Sequence, residues 1–267
     1  MHISPTNYDF ILVNFSEGVM QITLNRPNKL NALNYAMIME IVDVLERAIK
    51  NKQIRVLTIK GSEQCFSSGD DLESMGKDGF RFKPLSDGSK LPHHRMVKLI
   101  REIQKPVIAL LKGYCFGAGF ELALACDFRL ASENLEIGDH RVNRAICIMS
   151  GASWFLPRLI GLSRAIELIF TGKHLNAKEA LEIGLVNEVF KESEFEKESL
   201  QYIKRIADLP TKCIGYNKAM INFSLKKELF PSLQNEFKLY VKNMRTDDHW
   251  EGVKSFLEKR NPKYEGR

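Results

Sequence analysis

The spacing of apolar residues predicts strands alternating with helices over the first two thirds of the chain. Val19–Leu24 alternates apolar and polar residues, as a half-buried strand does, whereas the apolar residues of Asn34–Lys50 recur at helical spacing. Val56–Lys60 and the continuously apolar Pro106–Leu111 are interpreted as further strands. Other elements are expected at His93–Gln104, Phe128–Ala131, Ser163–Thr171 and, with a capping-box-like start, from Asn176.

Beyond Glu192 the pattern is helical throughout, over Phe195–Leu209, Thr211–Leu225 and a final stretch to Glu258. Strands interleaved with helices and followed by helices alone predict an α/β core, residues 1–192, with a helical region at 193–267 that offers a surface for oligomerisation. The segment Lys77–Pro92 is rich in Gly, Pro, Ser and Lys without periodicity, which predicts a mobile loop.

Two glycine turns carry the most distinctive chemistry. In Lys112–Asp127, KGYCFGAGFELALACD, the glycines are followed at once by Glu121 in a helix-like run. Flexible backbone at a helix start presents free N–H groups that stabilise an anion, and in a catalytic site they suit an oxyanion. Ser67–Asp71 places a second glycine before an expected helix start. The turn in Lys112–Asp127 fits neither G-x-G-x-x-G nor a phosphate loop, so nucleotide binding by these devices is unsupported.

Composition bounds the class of protein. The 267 residues are 44% hydrophobic and 27% charged, as in ordinary globular proteins. No apolar run approaches the roughly 18 residues that a membrane span needs, so we expect no membrane partner. The amino terminus does not resemble a secretory signal, so a cytoplasmic location is expected. Five cysteines without a C-x-x-C pair indicate reduced thiols rather than a disulfide framework or a metal site.

The formal net charge of +6 favours an anionic ligand, either nucleic acid or a phosphorylated small molecule. The basic residues are spread along the chain and form no stripe interleaved with aromatic residues. Nucleic acid is therefore the less favoured partner.

Six motifs in order across nearly the whole chain carry a resemblance. They are NRPNKLNAL at Asn25–Leu33, FSSGDDL at Phe66–Leu72, KPVIALLKGYCFGAGFELALACD at Lys105–Asp127, LPRLIG at Leu156–Gly161, AKEALEIGLVNEV at Ala177–Val189 and GVKSFLEKR at Gly252–Arg260. Together they resemble the enoyl-CoA hydratase/isomerase (crotonase) superfamily. The resemblance implies a spiral of strand-strand-helix repeats with a C-terminal helical trimerisation region, and assembly as a homo-trimer or hexamer.

The resemblance also implies roles for particular residues. Members bind acyl-CoA thioesters and stabilise the enolate with two backbone N–H groups, which here would belong to Asp70 and Ala118. Glu121 matches one of two glutamates that hydratases use as acid and base. Coenzyme A is part of the substrate, and no separate cofactor is expected. The implied contacts with coenzyme A are made by Arg26, Asp70, Leu72, Gly117, Ala118, Phe256 and Lys259, the last two near the coenzyme of a neighbouring subunit.

The chain departs from the two-glutamate pattern, because Arg141 stands where the second glutamate is expected. Asp139 and Glu136 are candidates for a substitute acid, and Arg141 can instead pair with a charged acyl tail. Hydration of a trans-2-enoyl-CoA is the first hypothesis. The alternatives are a single-acid enoyl-CoA isomerase, an acyl-CoA hydrolase, or a catalytically silent scaffold that binds coenzyme A or RNA. If Arg141 marks a vacancy, its replacement by Glu is expected to raise hydration.

Overall fold

The computed structural model describes residues 7–62, 64–73 and 91–267. Its larger sheet has six strands in the order β1-β2-β3-β4-β6-β9, and all neighbouring pairs are parallel except β1 and β2. A smaller sheet has the order β5-β7-β8. The strands are β1 Ile11–Ser16, β2 Val19–Leu24, β3 Val56–Gly61, β4 Val107–Leu111, β5 Tyr114–Phe116, β6 Phe128–Ser132, β7 Glu136–Gly138, β8 His174–Asn176 and β9 Glu188–Phe190.

Helices follow most of the parallel strands, as crossover connections require. They are α1 Tyr35–Lys50, α2 Pro92–Glu102, α3 Gly117–Ala125, α4 Ala152–Ile160, α5 Leu162–Thr171, α6 Ala177–Glu182, α7 Phe195–Ala207, α8 Thr211–Ser224, α9 Leu229–Asn243 and α10 Asp247–Leu257. The predicted starts of α1 and α6 are confirmed. The Asn34 side chain accepts the N–H of Met37, and Asn176 and Glu179 form a complete capping box.

The main core lies between the large sheet and helices α1 to α6. Ile38, Ile41 and Leu45 of α1 are fully buried against strand residues such as Ile22 and Ile59, which face each other in register. Burying each such side chain contributes about 1.5–3 kcal/mol. The period of 3.6 in α1 therefore directs one face of the helix onto the sheet.

Two isolated parallel bridges connect the layers next to the glycine turns. Leu33 pairs with Asp70, and Ser67 pairs with Cys115. Because Ser67–Asp70 is held on both sides, the loop after β3 is fixed against the start of α3. This contact positions the candidate site.

The helices of the C-terminal region differ in what covers them. Phe195, Ile203 and Ala207 of α7 pack on Val56 and its neighbours on the other face of the sheet. In contrast, α9 and α10 expose large apolar side chains, namely Leu229, Phe230, Leu233, Phe237, Tyr240, Trp250, Val253, Phe256 and Leu257. The division at residue 193 remains a prediction. Exposed apolar side chains also occur on α7 and α8, as Leu200 and Ile221, but α9 and α10 carry most of those in the C-terminal region.

Several sequence predictions can be compared with these elements. Most of the expected loop Lys77–Pro92 lies outside the described residues, but Pro92 is the first residue of α2 and is not a loop residue. A proline fits there because the first helical N–H has no partner within the helix. Three cysteines, Cys65, Cys115 and Cys126, are buried as small apolar side chains. No helix within the described ranges is long and apolar enough to cross a membrane.

Candidate active site

The two glycine turns lie against each other because one glycine leaves room for the other turn. A Cβ on Gly119 would lie 2.5 Å from the Cβ of Ser67, so only glycine allows α3 to approach this closely. Gly69 has φ +108°, a conformation that favours glycine, and its N–H donates to the Ser67 hydroxyl at 3.1 Å. The predicted proximity of the two turns is therefore present.

The backbone N–H groups of Asp70 and Ala118 border the site. The bridge to Leu33 uses the carbonyl of Gly69 and the N–H of Asp71, at 2.8 and 3.0 Å. Polar groups alternate along an extended chain, so the N–H of Asp70 points away from Leu33. Ala118 lies in the first turn of α3, where N–H groups have no partner within the helix. Asp70 Oδ2 borders the residue before Ala118, since a Cβ on Gly117 would lie 3.3 Å from that oxygen.

Glu121 is fully buried in α3, one turn after Ala118. Its Oε1 accepts the backbone N–H groups of Met149 and Ser150 at 2.9 and 2.8 Å. Its Oε2 accepts from Nη1 of Arg141 at 3.1 Å. A carboxylate held by two amides and a guanidinium is fixed in orientation.

Arg141 occupies the centre of the site. Its Nε donates to Asp139 Oδ1 at 2.9 Å, and its Nη2 donates to Asp139 Oδ2, so the two side chains form a bidentate pair. Its Nη1 faces Glu121 at 3.1 Å and Asp70 Oδ2 at 3.6 Å. A single guanidinium thus connects three carboxylates, and it has little capacity left for a charged acyl tail.

Burial and charge shift the pKa values of this cluster. Burial lowers the pKa of Arg141, but the hydrogen bond to Asp139 and the interactions with Glu121 outweigh it and raise the pKa overall. Burial raises the pKa of Asp70, and nearby Glu121 and Asp139 add to the rise, although Arg141 and the N–H of Ala118 oppose it. Arg141 is therefore a permanent cation, whereas Asp70 holds a proton more readily than an exposed aspartate does.

The charge of the Arg141 guanidinium also affects the pKa of His93 on α2. Burial lowers its pKa to about 4, and the charges of His94 and Arg141 contribute in the same direction. His93 is consequently neutral near pH 7, and it adds no positive charge to the cluster.

The structure brings some of the other predicted residues to the site and places others elsewhere. Asp139 is 2% exposed and both of its oxygens accept hydrogen bonds from Arg141, and its role as a substitute acid remains a prediction. The side chain of Glu136, on β7, is exposed to solvent. Gly117 is the first residue of α3, next to Ala118.

The residues expected at coenzyme A fall into two groups. Arg26 pairs with Asp71 at 2.8 Å, and Leu72 follows directly with its side chain about half exposed, so both border the Asp70 turn. Phe256 on α10 is 82% exposed, and Lys259 follows the end of that helix. These two lie in the C-terminal region, where a role at a neighbouring subunit's coenzyme remains a prediction.

Sequence reasoning missed two features of the site. The amides of Met149 and Ser150 hold Glu121, but a backbone N–H leaves no signature in the residue type. The carboxyl group of Asp70 was also overlooked, because only its backbone was assigned a role. The available signal was the residue type itself, because an aspartate brings a carboxyl group to this turn.

Comparisons with known proteins show which family the chain is similar to. The profile described as enoyl-CoA hydratase/isomerase matches residues 14–267. The chain is 32% identical to the 2,3-dehydroadipyl-CoA hydratase of Escherichia coli K12, covering 96% of this chain and 99% of that protein. It is 31% identical to the crotonyl-CoA hydratase of Syntrophomonas wolfei, covering 96% and 98%. The crystal structure of an enoyl-CoA hydratase from Bacillus anthracis superposes with a TM-score of 0.89 at 32% identity, covering 97% of this chain and all of that one.

Proposed function

Because this chain belongs to the enoyl-CoA hydratase/isomerase family, we propose that it adds water across the double bond of a trans-2-enoyl-CoA. The observation that carries this proposal is the pairing of the two glycine turns with the buried carboxyl group of Glu121. Hydration needs an anion site for the thioester oxygen and a carboxylate that accepts a proton from water. The site has groups suited to both tasks.

The N–H groups of Asp70 and Ala118 would bind the thioester oxygen as negative charge develops on it. Ala118 adds the positive end of α3, and only backbone atoms are required. Loss of one such donor costs about 10²–10³ in rate in enzymes of this type.

Glu121 would act as the base toward water. Two amides and Arg141 hold its carboxylate in one orientation, with Oε1 on the amides and Oε2 on Arg141. The fixed orientation also positions the water that it deprotonates.

A single-acid isomerase is the second candidate, because Arg141 fills the position where a second glutamate is expected and a guanidinium does not exchange protons. One carboxylate can carry a proton between two carbons of an enoyl chain. Incubation with crotonyl-CoA and with a 3-enoyl-CoA, followed by identification of the thioester consumed, distinguishes the two reactions.

We expect the protein to bind acetoacetyl-CoA far more tightly than free acetoacetate. The coenzyme would reach Arg26 and Leu72, and the β-keto thioester places an enolate-like oxygen on the N–H groups of Asp70 and Ala118. Titration calorimetry of both ligands measures the difference. Equal affinities would contradict a thioester site.

We propose that the exposed surface of α9 and α10 forms the subunit interface of the trimer or hexamer that the family resemblance implies. Exposed apolar patches of this extent mark interfaces in soluble proteins. Light scattering at micromolar concentration is expected to give three or six times 30.6 kDa.

A pair of variants tests which surface assembles. Phe237 on α9 and Phe170 on α5 are matched in exposure, at 69% and 71%. Phe237→Asp is expected to shift the mass toward the monomer, whereas Phe170→Asp is expected to leave the mass unchanged. A monomeric wild type, or dissociation by Phe170→Asp alone, would exclude the α9–α10 surface.

A further inference from the structure

The carboxyl group of Asp70 has no role in hydration as described so far, although it lies in the centre of the site. Its Oδ2 lies 3.6 Å from Nη1 of Arg141 and borders Gly117, where an added Cβ would lie 3.3 Å from it. This Oδ2 is buried and has no hydrogen-bond partner among the described residues. Burying a carboxylate oxygen without a hydrogen-bond partner costs free energy, so this environment favours the protonated form of the carboxyl group.

The other two carboxylates around Arg141 accept hydrogen bonds on both oxygens. Asp139 uses both oxygens on Arg141, and Glu121 uses one on Arg141 and the other on the amides of Met149 and Ser150. Among the described residues of this cluster, Asp70 is the one with a carboxyl oxygen that accepts no hydrogen bond.

We propose that the Asp70 carboxyl group is the second acid of the reaction and donates the proton that the α-carbon of the substrate receives. This inference rests on the proposed hydration, and it replaces Asp139 and Glu136 as substitutes for the expected second glutamate. It assigns Asp70 two functions, one through its backbone N–H and one through its side chain.

The position of the carboxyl group follows from what it contacts in the ligand-free protein. Its Oδ2 borders Gly117, next to Ala118, whose N–H binds the thioester oxygen in the proposed function. The carboxyl group therefore lies beside the bound carbonyl, and the α-carbon is bonded directly to the carbonyl carbon. Asp70 is therefore adjacent to the atom that must be protonated.

The step balances in protons and electrons. As the water oxygen bonds to the β-carbon, its proton passes to Glu121, and the π electrons move to form the enolate on the thioester oxygen. The enolate then re-forms the carbonyl as its α-carbon bonds to the proton of Asp70, which becomes a carboxylate. Transfer of the proton from Glu121 back to Asp70 through solvent restores the starting state.

The charges facing Asp70 suit this cycle. Burial, Glu121 and Asp139 raise the pKa of the carboxyl group, which keeps it protonated above the usual range of an aspartate. Arg141 opposes the rise and stabilises the carboxylate once the proton has left, and His93 on the neighbouring α2 is neutral. An acid with a raised pKa and an adjacent cation can both donate and recover a proton.

The test uses Asp70→Asn, with Glu136→Gln as the matched control because that carboxylate is exposed on β7. Two reactions are measured: hydration of crotonyl-CoA, and exchange of the α-hydrogens of butyryl-CoA in D₂O, which requires no double bond. Asp70→Asn is expected to slow both by about 10²–10⁴. Acetoacetyl-CoA affinity should stay within a few-fold, because the backbone N–H groups are unchanged.

The pH profile gives an independent readout. Wild-type kcat/KM should fall at high pH as Asp70 ionises, and Asp70→Asn should lose that alkaline limb while Glu136→Gln keeps it. If Asp70→Asn hydrates crotonyl-CoA and exchanges the α-hydrogens of butyryl-CoA as fast as wild type, or faster, the side chain takes no part in proton transfer and the proposal is wrong. If wild type exchanges butyryl-CoA through Asp70 but never hydrates crotonyl-CoA, hydration fails while the role of Asp70 stands. A wild type that does neither overturns both.

Discussion

Glu121→Gln is expected to lower kcat for hydration by about 10²–10⁴, since a glutamine cannot accept the proton of the attacking water. Glutamine has nearly the size of glutamate, and its carbonyl oxygen can still accept the amides of Met149 and Ser150. Its NH₂ group would then face Nη1 of Arg141, where two donors oppose each other. The loss should appear mainly in kcat, because the N–H groups of Asp70 and Ala118 that hold the thioester remain.

Steady-state kinetics on crotonyl-CoA, with calorimetric binding of acetoacetyl-CoA alongside, separates these effects. Glu136→Gln again serves as the control, as it removes an exposed carboxylate of the same region. A Glu121→Gln enzyme that keeps more than a tenth of wild-type kcat would exclude Glu121 as the base.

Arg141→Glu is expected to destabilise the fold by about 3–5 kcal/mol, as removal of one partner from a buried ion cluster does. The sequence alone favoured the opposite outcome, a gain in hydration, because it treated position 141 as a vacancy. In the structure Arg141 is the cation shared by Asp70, Glu121 and Asp139. The substitution would place a fourth carboxylate among three that have lost their counter-ion.

The sign of the pH dependence follows from the same charges. Without Arg141, which lowers the pKa of Asp70 in the wild type, the folded-state pKa of that carboxyl group rises further above its ordinary value, so the folded protein binds more protons than the unfolded chain. The deficit should therefore be largest near pH 7 and should shrink as the pH falls toward 5. Urea denaturation of wild type, Arg141→Glu and the exposed-site control Arg144→Glu at both pH values measures it. Equal stability of Arg141→Glu and wild type, together with faster hydration, would restore the interpretation of a vacancy.

The sequence by itself determined the elements whose signals are local. Three such signals depend only on neighbouring residues: the helical period of α1, the capping box of Asn176 and Glu179, and the apolar run Pro106–Leu111. Each of these elements is found where it was predicted. The short strands β5 and β7 to β9 were missed, because three residues are too few to show a period.

Tertiary structure alone decided how the site residues combine. The glycines of the two turns were recognisable from the sequence, as was Glu121, but the partners of Arg141 were not. Asp70, Glu121 and Arg141 come from separate elements, and only the packing of α3 against the Ser67 loop brings them together. The amides that hold Glu121 belong to Met149 and Ser150, whose side chains give no sign of that role. The role of a buried charged group depends on its partners, and the fold determines which residues those partners are.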